Sequence, residues 1–156
     1  MTTISQARFL RLVVLLGALV AGGWVSAFAA AVELKLQAQL VWGTNERVSS
    51  EAGLKEVDTA LQARLRNVFK WQTYYEITRK PVAVTTAKPQ TAKLSDDCTI
   101  EVKQLAANRI EVKLIGKGRP VVTHTLELRP ATPLVIGGDD KNNTAWFVVI
   151  TQTDKA

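Results

Sequence analysis

CTIEVKQLAANRIEVKLIGKGRPVVTHTLEL, residues 98–128, decides the fold class. Cys98, Ile100 and Val102 alternate with Thr99, Glu101 and Lys103. Ile110, Val112 and Leu114 alternate with Arg109, Glu111 and Lys113, and Val122, His124, Leu126 and Leu128 with Val121, Thr123, Thr125 and Glu127. Successive side chains of a strand point to opposite faces, so each run reads as a strand with one apolar and one solvated face. Gly116-Lys117-Gly118 is a turn. Ala106-Ala107-Asn108 is a three-residue hairpin loop ending on a residue type that tolerates left-handed backbone. That loop places Leu105 opposite Arg109, Lys103 opposite Glu111, Glu101 opposite Lys113, Val102 opposite Val112 and Ile100 opposite Leu114. Each charged pair is then opposite in sign and contributes about 0.2–1 kcal/mol at most. A face neutralised in this way is a poor binding surface.

Outward from this stretch the pattern stays mostly β. In residues 33–42, Leu34, Leu36, Ala38 and Leu40 share a face, with Glu33, Lys35, Gln37 and Gln39 on the other. Residues 71–78 alternate Trp71, Thr73, Tyr75 and Ile77 with Lys70, Gln72, Tyr74 and Glu76. Proline at 81 and 89 confines the short extended piece 82–86 to an edge or a loop, and 87–97 is the most loop-like stretch. Leu134-Val135-Ile136 is a short apolar run, 137–143 a turn-rich loop, and 145–151 (AWFVVIT) an apolar strand covered on both faces. A single helix is expected over about 51–69, with Ser49 or Ser50 as N-cap and Leu54, Val57, Leu61, Leu65 and Val68 on one stripe. Asp58 sits near that stripe as an alternative N-cap for a later start, or as an edge carboxylate. The sum is an α+β domain: one antiparallel sheet of about six to eight strands with one amphipathic helix packed on it.

The first residues read differently. Arg8 and Arg11 precede an uncharged stretch from Leu12 to Val32, apolar at first, then rich in Gly and Ala up to Ala27-Phe28-Ala29. Basic start, apolar middle and small-residue cleavage pattern make residues 1–29 a secretory signal peptide, with 30–156 the mature domain. The alternative is an uncleaved anchor reaching 32, since about 20 apolar residues span a bilayer. A lipoprotein is excluded, because the only cysteine is Cys98. The expected location is periplasmic or extracellular, or membrane-held if the leader stays.

Removing Arg8 and Arg11 lowers the net charge from +6 to +4. The remaining bases alternate with acids along strands, so nucleic acid is not an expected partner. One cysteine permits no intrachain disulfide. Cys98 reads as an inert thiol in an apolar strand. His124, the only histidine, lies on apolar parity. A catalytic role would need a nucleophile or acid beside it, and zinc would need more His or Cys than the chain has. Residues 137–143 (GGDDKNN) lack the ligand spacing of a calcium loop and do not open a helix as a phosphate loop would. No metal or other cofactor is expected. Trp71, Tyr74 and Tyr75 are the candidate binding residues, an aromatic platform for sugar or peptide, with Tyr74 the one expected to be exposed because its parity is polar.

The tail TLELRPATPLVIGGDDKNNTAWFVVIT, residues 125–151, resembles the end of bacterial secretin-type β domains: a strand, a polar break, an apolar run ending in Gly137-Gly138, a polar loop and a last apolar strand. The positions that carry it are Leu126, Leu128, Leu134, Val135, Ile136, Gly137, Gly138, Phe147, Val148, Val149 and Ile150. They cover under a fifth of the chain, which lacks a secretin's membrane-lining hairpins and repeated ring-building domains. The resemblance implies a small envelope module with related β pairing and transfers no functional residue. The leading expectation is a non-catalytic exported module that binds a protein partner or supports an envelope assembly. The alternatives are a small enzyme using His124 and a carbohydrate or peptide binder using the Trp71–Tyr75 strand. A cleft gathering His124 with an acid or hydroxyl favours the enzyme; an exposed β edge or apolar patch favours the assembly module.

Overall fold

The computed structural model describes residues 33–46, 48, 53–139 and 142–153. The expected leader, residues 1–29 with its cleavage pattern, and Ser49, Ser50 and Glu51 lie outside the described residues. All described residues belong to one unit, 31–156, and no helix among them is long and apolar enough to cross a membrane.

In chain order the elements are β1 (Leu34–Thr44), β2 (Lys55–Glu56), α1 (Thr59–Val68), β3 (Thr73–Val84), β4 (Gln90–Lys93), β5 (Cys98–Ala106), β6 (Arg109–Gly116), β7 (Arg119–Glu127), β8 (Leu134–Asp139) and β9 (Ala145–Gln152). They make two antiparallel sheets, β2-β3-β1-β9-β8 and β4-β5-β6-β7. The expected single sheet of six to eight strands is therefore corrected to two sheets and nine strands among the described residues. Alternation reports which side chains share a face, but not which strands pair. Two short strands also lie where none is expected, β2 within the anticipated helix and β4 within the stretch read as loop.

Both faces of the five-stranded sheet are covered. Leu34, Leu36, Ala38 and Leu40 of β1, Val82 and Val84 of β3, and Val148 and Ile150 of β9 pack in one cluster with Ile100, Val102, Ile110 and Val112 of the other sheet. On the opposite face Val41, Tyr74, Phe147 and Val149 pack with Val57, Leu61, Leu65 and Trp71. β9 is buried along most of its length between β1 and β8, as its unbroken apolar sequence requires.

The helix is shorter than its apolar stripe. Asp58 is the N-cap, its carboxylate accepting from Leu61 N at 2.9 Å. This later start is the alternative that the sequence leaves open. Lys55 and Glu56 instead pair with Glu76 and Tyr75 of β3, and Val57 N donates to Tyr74 O at 3.0 Å. Gln62 fixes the helix to the same strand: its Oε1 accepts from Tyr74 N at 3.0 Å and its Nε2 donates to Glu56 at 2.8 Å. Val68, expected on the buried stripe, is 70% exposed at the last helical position.

β3 explains the two pieces read at 71–78 and 82–86. Thr78 faces Leu40 and Glu76 faces Val41, so Ile77 is the extra residue of a bulge. An added residue reverses the parity of everything beyond it. Tyr75 shares a face with Trp42 before the bulge, and Val82 and Val84 share that same face after it. Pro81 sits in the part of β3 that β2 does not pair, where its missing N–H breaks no ladder.

The β5–β6 hairpin has Lys103 opposite Glu111, Glu101 opposite Lys113, Val102 opposite Val112 and Ile100 opposite Leu114. Its end is corrected. Ala106, not Leu105, faces Arg109; Leu105 is bulged out and the loop is Ala107-Asn108. The left-handed non-glycine residues among those described are Lys117, Ala131 and Asn143, so Asn108 does not use that conformation. At the β6–β7 turn Lys117 (φ 49°) and Gly118 (φ 74°) are both left-handed, the backbone a two-residue hairpin loop requires.

A pH effect follows from Glu76. Arg79 donates to it from Nε at 3.0 Å and from a second guanidinium nitrogen, and Gln39 Nε2 donates at 2.8 Å. The Arg79 bond chiefly holds this carboxyl below its usual value, with burial opposing. A depressed folded-state pKa adds stability above the unfolded value near 4.5, which fades as pH falls through the folded value. Because Arg79 is well exposed, the contribution is at most about 1 kcal/mol. The melting temperature of wild type minus that of Glu76→Gln is expected to be positive at pH 7 and to shrink below pH ~4.5. A difference that is flat from pH 7 to 3 would contradict it.

Candidate binding cleft

Two bulges build the site. Ile77 is the extra residue in β3. In β7, Leu114 faces Val122 while Ile115 faces Pro120, so Val121 is extra there. Bulges re-aim side chains, and both of these residues turn toward the space between the sheets. There they line a cavity of about 580 Å³ whose walls are Leu40, Val148 and Ile136 from one sheet and Cys98 and Leu114 from the other. Ser95, Asp97 and Lys117 supply its polar rim. Val121, 63% exposed, and Trp146, 41% exposed, are large apolar side chains open to solvent at this end. The rim is braced by Lys117 N donating to Asp97 O at 2.9 Å.

A second lobe of about 380 Å³ shares Leu114, Val121, Ile136 and Trp146 with the first, and adds Val122, His124, Gly137 and Gly138. A third recess, about 430 Å³, is lined by Trp42, Trp146, Glu46, Asn142 and Thr144. Trp146 thus stands between an apolar cavity and a polar shelf. It ends a cross-strand row. Tyr75 faces Trp42 and Trp42 faces Trp146, with ring centroids 6.0 and 6.3 Å apart.

The expected aromatic platform is redistributed. Tyr74, expected to be exposed, is 0% exposed. Its polar parity points to a face that α1 covers, and alternation cannot report what lies over a face. Trp71 is buried beside it and donates Nε1–H to Asn143 O at 2.9 Å. Tyr75 is buried against Trp42. Of the three, only Tyr75 joins the row that reaches solvent. Trp42 and Trp146 are the residues that the expected platform misses, although Trp42 continues the apolar parity of 34–40 and so carries a readable signal.

Tyr74 has a further consequence. Its hydroxyl is buried without a hydrogen-bond partner among the described residues. Burial chiefly pushes its pKa up; the Trp71 backbone, whose approach falls short of full hydrogen-bond geometry, and the Arg66 charge oppose this. An unsatisfied buried hydroxyl costs about 1–3 kcal/mol. Tyr74→Phe is therefore expected to leave stability unchanged or raise it by up to roughly 1 kcal/mol in urea denaturation. A loss above that size would show that the hydroxyl has a partner.

His124 lies on the exposed edge strand, in a lobe whose other described lining residues are apolar or glycine. Among the described residues no acid, thiol or hydroxyl lines that lobe with it. Cys98 faces Gly116, while His124 faces Val112. Four residues along β6 separate those partners, about 13 Å at strand rise, so the two do not form a pair. Burial raises the Cys98 thiol's pKa, which keeps it protonated and weakly nucleophilic. Among the described residues no three His, Cys, Asp or Glu side chains gather to hold a metal.

No family model, curated protein or solved structure matches the chain.

Proposed function

We propose that the chain is a non-catalytic module working outside the cytoplasm, periplasmic or secreted, that binds a protein partner of the cell envelope through the cleft between its sheets. The observation that carries this reading is the pair of bulged residues, Ile77 and Val121, directed with Trp146 into one apolar opening. A cleft of this size lined mostly by apolar side chains, with a few polar groups at its rim, is the usual form of a recognition site. Among the described residues no acid or hydroxyl lines the lobe beside His124, which gives the enzyme alternative no support. The leader pattern of residues 1–29 supports export, and the secretin-like tail is in keeping with an envelope assembly.

The test is affinity capture from the native envelope with wild type, Val121→Asp and Trp146→Ala as parallel baits, each first shown to be folded by its melting curve. A partner held by wild type and lost by both variants supports the reading. A partner held equally by all three, or none held by wild type, overturns it.

A second reading rests on the Tyr75–Trp42–Trp146 row beside Glu46, Asn142 and Thr144. An aromatic face flanked by a carboxylate and an amide suits a neutral sugar ring, the former by stacking and the latter by bonding hydroxyls. Quenching or shift of tryptophan emission on titrating neutral oligosaccharides, abolished by Trp42→Ala, would favour it.

A further inference from the structure

β7 ends its sheet. β6 pairs one side of it and, among the described residues, no strand pairs the other. Such an edge is a template for another chain, and natural edges are commonly blunted by charge along their length. Here residues 121–126 carry no charge, and the strand's charges stand only at its ends, Arg119 and Glu127. Val121, Thr123 and Thr125 are all exposed.

Those ends are opposite in sign, which makes the edge complementary to itself. Two β7 strands laid antiparallel about a two-fold axis at Thr123 bring Arg119 of each copy against Glu127 of the other. The same register sets Val121 against Thr125 and Val122 against His124. A parallel arrangement would set Arg119 against Arg119 and Glu127 against Glu127, and is disfavoured. The β8 edge has no such symmetry: reversed on itself, Leu134 would meet Asp139.

We propose that β7 is a homodimer interface, through which two copies of this chain pair edge to edge into one eight-stranded sheet. The occupant is a second copy because the charge pattern of the strand is matched by its own reverse. A two-fold contact of this kind closes on itself and uses up the edge, so it does not propagate. Pro120, which lacks an N–H, and the Val121 bulge limit regular pairing to the centre of the strand. The long Arg119 side chain absorbs the offset that the bulge introduces, since diagonal neighbours lie within its reach. Glu127 already accepts from Asn108 Nδ2 at 3.2 Å, and a carboxylate has further acceptor sites for a guanidinium.

The test is sedimentation equilibrium of the secreted protein. Wild type is expected to dimerise. Arg119→Glu and Glu127→Arg each create two like-charge contacts, and each is expected to weaken the dimer about tenfold or more. An equimolar mixture of the two variants restores both attractive contacts and is expected to recover dimer. Wild type that stays monomeric to roughly 100 μM, or a dimer indifferent to both reversals, overturns the proposal. Should a charge variant fail to fold, a crosslink decides instead. In a Cys98→Ala background, Thr123→Cys sits on the axis and is expected to form an intermolecular disulfide. Thr125→Cys is not, because its copy lies about 14 Å away along the strands. Crosslinking of neither, or of Thr125→Cys alone, overturns the proposal.

Discussion

Phe147→Ala is expected to lower folding stability by about 3–5 kcal/mol, the range for truncating a buried aromatic. Phe147 is the centre of the helix-side core. Its ring lies 4.6 Å from Phe69, 5.7 Å from Trp71 and 5.9 Å from Tyr74, centroid to centroid. These partners come from the helix C-cap, the following link and β3. Removing the ring opens a cavity that a rigid sheet cannot close, because β9 is fixed by pairing on both sides. Phe147→Leu keeps most of the volume and is expected to cost less than half as much. Both values are read from urea midpoints at constant slope. An alanine variant that loses under 1 kcal/mol would mean that α1 docks without this residue.

The legible part of the fold is the part that period two can report. The strand pattern of 98–105 and 109–115 yields the register at Ile100–Leu114 through Lys103–Glu111, because one apolar and one charged face exclude a one-residue slip. AWFVVIT shows itself as doubly covered for a similar reason: a strand with no polar face must be buried on both. What alternation hides are the bulges. At Ile77 the parity of β3 reverses, so one twelve-residue strand looks like two pieces. At Leu105 the extra residue turns a three-residue loop into two.

The site is hidden by the same cause. Ile77 and Val121 line the cleft because each is an added residue, and nothing in either local sequence marks it as one. The aromatic candidates are spread apart because Tyr74 and Tyr75 are neighbours on opposite faces: the helix covers Tyr74, and Trp42 packs on Tyr75. The helix start is intermediate. The apolar stripe from Leu54 looks continuous, yet Asp58 carries the N-cap signal and the structure follows it. Capping competes with periodicity over a single turn, and here pairing of Lys55 and Glu56 with β3 settles the competition.

The neighbouring glycines of β8 are expected to respond in opposite directions. A Gly→Ala change at a compatible strand position raises stability by about 0.4–1 kcal/mol, because it narrows the unfolded ensemble. Gly138 meets that condition: a Cβ there would have nothing within 4 Å. At Gly137 a Cβ would stand 2.5 Å from both the Trp146 carbonyl oxygen and Phe147 Cδ1. The first of these is backbone of the paired strand and cannot swing away. β8 must therefore move off β9, and Phe147 must also shift from its place among Phe69, Trp71 and Tyr74 if that movement is small. Gly137→Ala is expected to cost about 3 kcal/mol, the upper part of the overpacking range. Gly138→Ala is expected to gain about 0.5 kcal/mol. The gain has a functional counterpart. Gly138 lines the lobe beside His124 and Trp146, so a methyl group there narrows the lobe while the fold strengthens. A partner that fills this lobe should bind Gly138→Ala more weakly than wild type, although the variant melts higher. Equal urea midpoints for Gly137→Ala and Gly138→Ala would contradict the contact on which both expectations stand.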